Sequence, residues 1–211
     1  MSGVRAVTLH TEDGLTLEAE QAGPEPAGPL PRAAVVLCHP HPQYGGTMRS
    51  IVISALFDAL PRLGYACIRF NFRGVEGSEG SYAEGRDEPL DIVAAINTIS
   101  TDVPETPIVL VAWSFGADVA LQVIDGRVSG WIAIAPPLRF RSSFPAAGDP
   151  RPKHLILAEH DEYRAPAEIQ REVAAWSNTT TAVVPGASHF FVGRTDHVTK
   201  ETQVGIDRAV R

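Results

Sequence analysis

Apolar residues in this chain cluster in short, continuous runs that are separated by segments of helical spacing. Such runs are typical of strands that are buried on both faces of a sheet. Six runs predict strands, and the segments between them predict helices. The predicted strands are residues 33–38, 66–70, 108–112, 131–135, 154–158 and 180–184; the predicted helices are 50–63, 89–100, 115–124 and 167–176, with a weaker helical pattern at 196–211.

The first residues follow a different pattern. Residues 4–10 and 15–20 alternate between polar and apolar around Glu12-Asp13-Gly14, which is a hairpin turn signal. The proline- and glycine-rich segment that follows, residues 23–31, is too short to separate two domains. We therefore expect a single α/β domain over residues 1–211. Its mostly parallel twisted sheet should begin with an antiparallel hairpin and carry helices on both faces.

Composition narrows the classes of function. Of the 211 residues, 44% are hydrophobic and 20% are charged, as in ordinary globular proteins. The formal net charge of -7 argues against nucleic acid and anionic membranes as partners. No apolar run approaches a membrane span, and the N-terminus shows no signal-peptide segment. Both cysteines, Cys38 and Cys67, lie in apolar runs as small buried residues do, so we expect a reduced, cytoplasmic protein.

One turn between a predicted strand and a predicted helix carries a chemical pattern. The segment Ala112-Trp113-Ser114-Phe115-Gly116-Ala117 places Ser between small residues two positions before and after it. This is the pattern of a nucleophile elbow, in which small neighbours allow the backbone to bend sharply and expose the hydroxyl. The helix that follows directs its free N–H groups and positive dipole end at a developing oxyanion. The pattern predicts Ser114 as a nucleophile, with an ordinary buried serine as the alternative.

Further polar groups follow later strands. In an open parallel sheet the functional crevice lies beyond the carboxyl ends of the strands. Asp161 follows the predicted strand 154–158, and His189 follows the predicted strand 180–184. The chain order Ser114, Asp161, His189 is the order expected of α/β hydrolases.

With these residues in place, the chain resembles the α/β-hydrolase superfamily over residues 33–191. It is similar, more narrowly, to a small lidless bacterial group near the dienelactone hydrolases and small carboxylesterases. That group has a His-Pro-His-Pro…Gly-Gly segment, an Asn-Phe-Arg-Gly loop and a Ser-Phe-Gly-Ala elbow, which correspond here to residues 39–46, 71–74 and 114–117. The resemblance implies an α/β-hydrolase fold with no cap domain. The short, proline-containing connection 136–152 leaves no room for such a cap.

The resemblance also implies roles for the strand-end residues. It places a catalytic histidine at His189 and a catalytic acid at Asp161. His189 would take the Ser114 proton and later donate it to the leaving group, while the carboxylate fixes the histidine tautomer. Neighbouring residues remain alternatives: His160 and His197 for the base, and Glu159 and Glu162 for the acid.

The oxyanion of an acyl-transfer reaction needs two backbone N–H donors. One candidate is Phe115, the residue after the nucleophile. The other is His41, because Pro40 and Pro42 on either side have no amide hydrogen. The motif alignment places His41 at the same position, with a merely rigid turn as the alternative.

Substrate contacts are harder to predict, because an aromatic side chain at a strand end can face either the pocket or the core. We expect the absence of a cap to leave an open, shallow site. Arg73 follows a strand and could meet an acidic substrate group, although a structural ion pair is the simpler interpretation. Residues that could line the pocket are Tyr44, Phe72, Trp113, Leu138 and Phe190, together with Phe115 and Phe140.

Two positions depart from the pattern of the relatives. Ala112 stands where many relatives have glycine at the start of the elbow, and its small side chain should still allow the turn to close. Glu76 stands where glycine is expected. We expect its side chain to face water, with a position at the pocket mouth as the alternative.

A metal site is a further alternative, since His39 and His41 with Asp161 and His189 form a loose zinc ligand set. Metal-dependent hydrolases with a His-x-His motif usually continue with an acidic residue, whereas this chain continues with proline and glutamine. A dinucleotide fingerprint and a phosphate-binding loop are also missing from the sequence. We therefore expect no metal and no cofactor.

These features together predict a serine hydrolase, most simply a carboxylic-ester hydrolase that acts on small or medium acyl esters through an acyl-enzyme. The expected partner is a small-molecule ester. The same three side chains would also support acyl transfer to another acceptor, or hydrolysis of a thioester or lactone. A non-catalytic binding protein of the same fold is the alternative from a different class.

Overall fold

The computed structural model describes residues 3–24, 30–140 and 143–211. Over these residues the chain forms an eight-stranded sheet with helices on both faces. The strands are β1 (Arg5–His10), β2 (Thr16–Ala22), β3 (Ala34–Cys38), β4 (Ala66–Phe70), β5 (Ile108–Trp113), β6 (Val128–Ile134), β7 (Lys153–Ala158) and β8 (Thr179–Val184); the helices are α1 (Ile51–Ala59), α2 (Glu88–Asp102), α3 (Phe115–Ala120), α4 (Pro166–Val173) and α5 (Thr195–Ala209). Short 3-10 turns cover Pro42–Tyr44, Leu60–Leu63 and Pro145–Gly148.

The strand order in the sheet is β1-β2-β4-β3-β5-β6-β7-β8. The β1–β2 hairpin and the β2–β4 pair are antiparallel, and every later pair is parallel. The predicted fold class, a mostly parallel sheet with an antiparallel N-terminal hairpin, is therefore confirmed. Because β3 and β5 lie at the centre and run in the same direction, their carboxyl ends meet at one edge.

Alternate side chains of the central strands supply two separate cores. In β3, Val36 faces one layer while Val35 and Leu37 face the other, and all three are fully buried. The first layer is covered by α2, α3 and α4, and the second by α1 and α5. Burial on both faces explains why these strands are continuously apolar in sequence.

Three predicted helices are shorter than expected, one of which is α4, which ends at Val173 rather than at residue 176. The segment 50–63 divides into α1 and a 3-10 turn, because Pro61 lacks the N–H group that would continue the α-helical pattern. Similarly, α3 ends at Ala120 rather than at residue 124. The N–H groups of Gln122 and Val123 donate to carbonyls three residues back, which tightens and ends the helix.

The C-terminal segment, by contrast, forms the full-length helix α5. Its buried face consists of Val198, Thr202, Gly205 and Ile206. A Cβ at Gly205 would lie 2.7 Å from Cγ1 of Ile132 in β6, so the helix packs closely against the sheet there. Two of the four contact positions are thus not apolar, and this is why the periodicity in the sequence is weak.

The connection between β6 and β7 carries no cap in its described residues. Its 3-10 turn, Pro145–Gly148, instead packs onto the domain through the N–H of Ala146, which donates to the carbonyl of Leu121. This arrangement leaves the carboxyl edge of the sheet open. The proline- and glycine-rich segment predicted at 23–31 lies mainly outside the described residues, which omit 25–29.

A buried ion pair joins the loop after β4 to helix α2. The guanidinium of Arg73 donates through Nε and Nη2 to Oδ1 of Asp91, at 2.9 and 2.7 Å, and its backbone N–H donates to Oδ2 at 2.9 Å. Arg73 also donates to Asp13 in the β1–β2 turn. Arg73 therefore makes the structural ion pair considered above, in preference to any contact with substrate.

We expect Asp91→Asn to lower the free energy of unfolding by about 3 kcal/mol, because it removes the buried one of the carboxylates that neutralise the buried guanidinium. Asp13→Asn removes a partner of the same arginine that is 38% exposed, and should cost less than about 1 kcal/mol. Urea unfolding of both variants measures the difference. Equal losses would contradict the assignment of Asp91 as the buried partner.

Candidate active site

The turn between β5 and α3 is sharply bent at Ser114. This residue has φ 55° and ψ -120°, which a residue with a side chain adopts only when its surroundings hold it there. Its N–H donates to the carbonyl of Ile134 in β6 at 2.8 Å, and its carbonyl accepts from the N–H of Ala117 at 2.9 Å. The hydroxyl therefore leaves the end of β5 in a defined direction.

Gly116 allows this turn to approach the end of β3. A Cβ at position 116 would lie 2.4 Å from the carbonyl oxygen of His39 and 2.8 Å from that of Cys38, which are backbone atoms that cannot move aside. Ala112, two residues before the serine, is fully buried in β5. There is thus no room for a side chain at Gly116, whereas the buried position of Ala112 accommodates a methyl group.

A continuous chain of hydrogen bonds links Ser114, His189 and Asp161. The Ser114 hydroxyl lies 2.9 Å from Nε2 of His189, and Nδ1 of the same ring lies 2.9 and 3.1 Å from the two oxygens of Asp161. The two partners are nearly buried, with side-chain exposures of 7% for His189 and 6% for Asp161. This geometry assigns the ring proton to Nδ1 and leaves Nε2 free to accept the serine proton.

Neighbouring groups hold both partners in position. The backbone N–H groups of Tyr163 and Arg164 donate to Oδ1 of Asp161, at 3.0 and 3.2 Å. The indole N–H of Trp113 donates to the carbonyl of His189 at 3.3 Å. The Tyr163 ring packs edge-on against the imidazole, with 4.6 Å between the ring centroids. The imidazole is thus fixed on several sides before any substrate arrives.

The alternative acids have other contacts. Glu162 accepts from the backbone N–H of His189 at 2.9 Å, and Glu159 accepts from that of Gly186 at 2.7 Å. The alternative bases, His160 and His197, are both exposed. Among these five candidates for acid and base, only Asp161 contacts the His189 ring.

His41 and Phe115, the two residues predicted to offer backbone N–H donors, lie in the loop after β3 and at the start of α3. Within the described residues, the N–H groups of His41 and Phe115 have no hydrogen-bond acceptor. The carbonyl of His41 accepts from Tyr44 and Gly46, at 3.1 and 3.0 Å, which closes the loop after β3. A Cβ at Gly46 would lie 2.2 Å from the carbonyl oxygen of Pro40, so the loop is too tight for any other residue there.

The side chain of His39 also holds the loop after β3 in place. Its Nδ1–H donates to the carbonyl of Pro40 at 2.6 Å, and its Nε2 accepts from the N–H of Phe72 at 3.0 Å. Complete burial lowers the pKa of His39 from 6.5 to about 4, so the ring stays neutral. Both ring nitrogens are used by the protein, which removes His39 from the loose metal set considered above. The described residues contain no group of three His, Cys, Asp or Glu that could hold a metal ion.

A pocket of about 140 Å³ opens beside Ser114 and is mainly aromatic. Tyr44, Trp113 and Phe190, three of the residues predicted to line it, do so, as does Phe140. The complete lining is Pro40, His41, Tyr44, Trp113, Ser114, Pro137, Arg139, Phe140, Tyr163, His189 and Phe190.

The predictions for Phe72 and Leu138 are wrong. The Phe72 ring is fully buried against His39, Phe70 and Phe115, with centroid distances of 4.8, 5.0 and 5.8 Å. Leu138 is only 6% exposed and belongs to the core on the α2 side of the sheet. Both are apolar side chains in strand-end loops that turn back into the protein.

The residues missed by sequence reasoning include Tyr163 and Arg139. Tyr163 lies two positions after Asp161 and its N–H caps that carboxylate, so the turn that holds the acid also brings this ring to the pocket. Arg139 immediately follows Leu138. The sequence does not show that Arg139 lines the pocket while its neighbour Leu138 belongs to the core.

A buried carboxylate on α3 fixes the loop that carries Arg139. Asp118 is fully buried, and its oxygens accept from the backbone N–H groups of Leu138, Arg139 and Phe140, at 2.9, 2.9 and 3.2 Å. Burial raises the pKa of Asp118 to about 6, and the three N–H donors partly oppose that rise. On the other side, Nη1 of Arg164 donates to the carbonyl of Pro137 at 2.9 Å.

Glu76, the second departure from the relatives, has φ 46°, a conformation that glycine adopts without strain. Its carboxylate accepts from Asn71 at 2.8 Å and from Arg49 at 3.3 Å, and its side chain is 46% exposed. The residue does not line the pocket beside Ser114. The expected outward orientation is therefore observed, with an added contact to the loop after β4.

Comparison with known proteins supports this fold. Residues 35–152 match the model of the alpha/beta hydrolase family, which covers more than half of the chain. A lidless α/β serine hydrolase from Xanthomonas campestris is 29% identical, with a TM-score of 0.87 over 99% of this chain and 95% of that one. An α/β serine hydrolase homologue from Coxiella burnetii is 28% identical, with a TM-score of 0.81 over 95% of both chains.

A curated relative extends the similarity in sequence. An uncharacterised protein of Rickettsia prowazekii is 31% identical over 184 residues, which span 81% of this chain and 77% of that one. The chain belongs to the α/β hydrolase family, and the resemblance to its small lidless members is confirmed. No helix among the described residues is long and apolar enough to cross a membrane.

We expect the buried, neutral His39 to make stability depend on pH. Because the folded protein binds this proton less tightly than the unfolded chain, its contribution is complete above about pH 6.5 and is lost as the pH falls towards about 4. Between pH 7 and pH 5 the free energy of unfolding should fall by about 2 kcal/mol from this group alone.

Urea unfolding at pH 7 and pH 5 measures this slope in the wild type and in His39→Gln, which should lose stability at both values but show a smaller difference between them. The matched control is His10→Gln, at an exposed position in β1, which should keep the wild-type difference. A His39→Gln protein with the full wild-type difference would show that another group is responsible.

Proposed function

We propose that this protein is a serine-dependent hydrolase of carboxylic esters. The observation that carries the proposal is the unbroken hydrogen-bonded chain from Ser114 through His189 to Asp161, at the edge of an open aromatic pocket. An unassisted hydroxyl is a weak nucleophile at neutral pH, and this arrangement supplies the base that it needs.

In the first half of the reaction, Oγ of Ser114 attacks the ester carbonyl while its proton passes to Nε2 of His189. Asp161 stabilises the imidazolium that forms, through the bond from Nδ1–H. The tetrahedral intermediate collapses, the bond to the alcohol oxygen breaks, and His189 returns the proton to the departing alcohol. An acyl-enzyme on Ser114 remains.

The carbonyl oxygen carries negative charge in the tetrahedral intermediate. The N–H groups of His41 and Phe115 are the proposed donors to this oxygen, and such a donor is worth about 3 kcal/mol of transition-state stabilisation. The flanking prolines and the close contact at Gly46 keep the first donor in place. Both donors are therefore organised before substrate binds.

In the second half, water attacks the acyl carbonyl and gives its proton to His189. The bond to Ser114 then breaks as His189 returns that proton to Oγ, which releases the acid and restores the free serine. The proposed substrates are small or medium acyl esters, because the pocket of about 140 Å³ resembles in size a cavity that holds a single benzene molecule. The apolar lining fits the acyl or alcohol portion of such an ester.

Ser114→Ala should abolish labelling by a fluorophosphonate probe and reduce turnover of 4-nitrophenyl esters to background, because it removes the hydroxyl that is hydrogen-bonded to His189. In-gel fluorescence and release of 4-nitrophenol measure the two effects. The matched control is Ser188→Ala, which removes a hydroxyl from the residue next to His189 and should keep both signals. Equal labelling of wild type and Ser114→Ala would rule out the proposed nucleophile.

Asp161→Asn should lower kcat by about 10³- to 10⁴-fold, because an amide in this position favours the wrong imidazole tautomer and cannot stabilise the imidazolium. Steady-state kinetics with a 4-nitrophenyl ester measures the loss. Glu162→Gln retains an oxygen acceptor for the His189 backbone N–H and should keep most of the activity. A larger loss in Glu162→Gln than in Asp161→Asn would reverse the assignment of the acid.

A further inference from the structure

Arg139 is a cation in the wall of an otherwise uncharged aromatic pocket. Its guanidinium lies over the rings of Phe140 and Tyr163, 5.4 and 5.9 Å from their centroids. Those two rings belong to different loops, and both line the pocket with Arg139. Stacking of this kind orients the planar guanidinium while leaving its N–H donors available.

Among the described residues, no carboxylate forms a salt bridge with the exposed side chain of Arg139. The buried Asp118 feels its charge, which opposes the rise in the pKa of that carboxyl, but Asp118 accepts hydrogen bonds from backbone N–H groups instead. The nearby Arg164 shows the contrasting arrangement, since it is paired with Glu168 and Glu172. The carboxylates closest to the site are also engaged, because Asp161 and Glu162 both contact His189.

The position of Arg139 is set by the backbone. Asp118 accepts from three successive N–H groups, including that of Arg139, and the preceding Leu138 has φ 49°. Because these hydrogen bonds fix the backbone of the loop, the side chain of Arg139 begins at a defined position. The positive charge of Arg139 also acts on His41, another pocket residue: burial lowers the pKa of His41, and the charge of Arg139 lowers it further.

We propose that Arg139 binds a carboxylate group of the substrate, so that the preferred esters are acidic ones. This proposal rests on the proposed ester hydrolysis and adds the substrate class to it. The fork of the guanidinium matches a carboxylate, and the aromatic walls accept the apolar part of the same molecule.

Two pairs of substrates test the proposal at both ends of the ester. The acyl pair is 4-nitrophenyl hydrogen adipate and its neutral methyl ester, and the alcohol pair is 3-acetoxybenzoate and its methyl ester. We expect one acidic member to be favoured over its neutral partner. Arg139→Gln should lower kcat/KM for that acid by about tenfold or more, mainly through KM, and have a much smaller effect on its neutral partner.

Two further variants separate the effect of the charge at position 139 from other effects of the substitution. Arg139→Lys keeps the charge and should restore part of the preference. Arg62→Gln removes the same charge from an exposed position in the turn before β4, at the opposite edge of the sheet, and should leave both members of each pair unchanged. Equal losses for the acidic and neutral members in Arg139→Gln, or no preference in the wild type, would overturn the proposal.

Binding provides a readout that does not need catalysis. In ligand-observed NMR, benzoate should bind the wild type more tightly than benzamide does, and Arg139→Gln should lose that difference. If the wild type hydrolyses no ester, the proposed function fails while this binding result still decides the role of Arg139. Turnover of neutral esters together with Arg139-independent benzoate binding would instead retain the hydrolase and reject the carboxylate site.

Discussion

Gly116 has no side chain, and the carbonyl oxygen of His39 lies only 2.4 Å from the place where a Cβ would be. This contact brings the start of α3 against the end of β3. Phe115 and His41, the two proposed donors to the oxyanion, belong to these two segments, and among the described residues no acceptor is recorded for the backbone N–H of either. The geometry of the site therefore depends on how closely the backbone of α3 can approach the backbone at the end of β3.

Buried polar groups hold the loops around the site, together with the apolar side chains that those loops bury. His39 joins the loop after β3 to the loop after β4 through Phe72. Asp118 accepts three backbone N–H groups from the loop after β6. Each group is buried and fully used, a condition under which polar contacts add rigidity as well as stability. Such rigidity suits a site that must be organised before substrate arrives.

The sheet, the hairpin and the strand-end positions of Ser114, Asp161 and His189 could be predicted from the sequence, because they depend on local periodicity and turn chemistry. Helix α5 was only weakly visible, since Thr202 and Gly205 occupy contact positions where close packing replaces apolar character. The direction of a single side chain could not be predicted. Phe72 turns inward because His39 and Phe115 surround it, and those contacts come from distant parts of the chain.

The direction of a side chain is equally hard to predict in the loop after β6, where Leu138 belongs to the core and the neighbouring Arg139 lines the pocket. Ala135 and Leu138 both have positive φ, 42° and 49°, which is costly for residues with side chains. The three bonds to Asp118 and the bond from Arg164 offset that cost and place Leu138 in the core while Arg139 enters the pocket. A site without a cap cannot close around its substrate, so discrimination must come from groups that are already fixed at its rim. A strained loop held by a buried carboxylate is a physical means of fixing such a group.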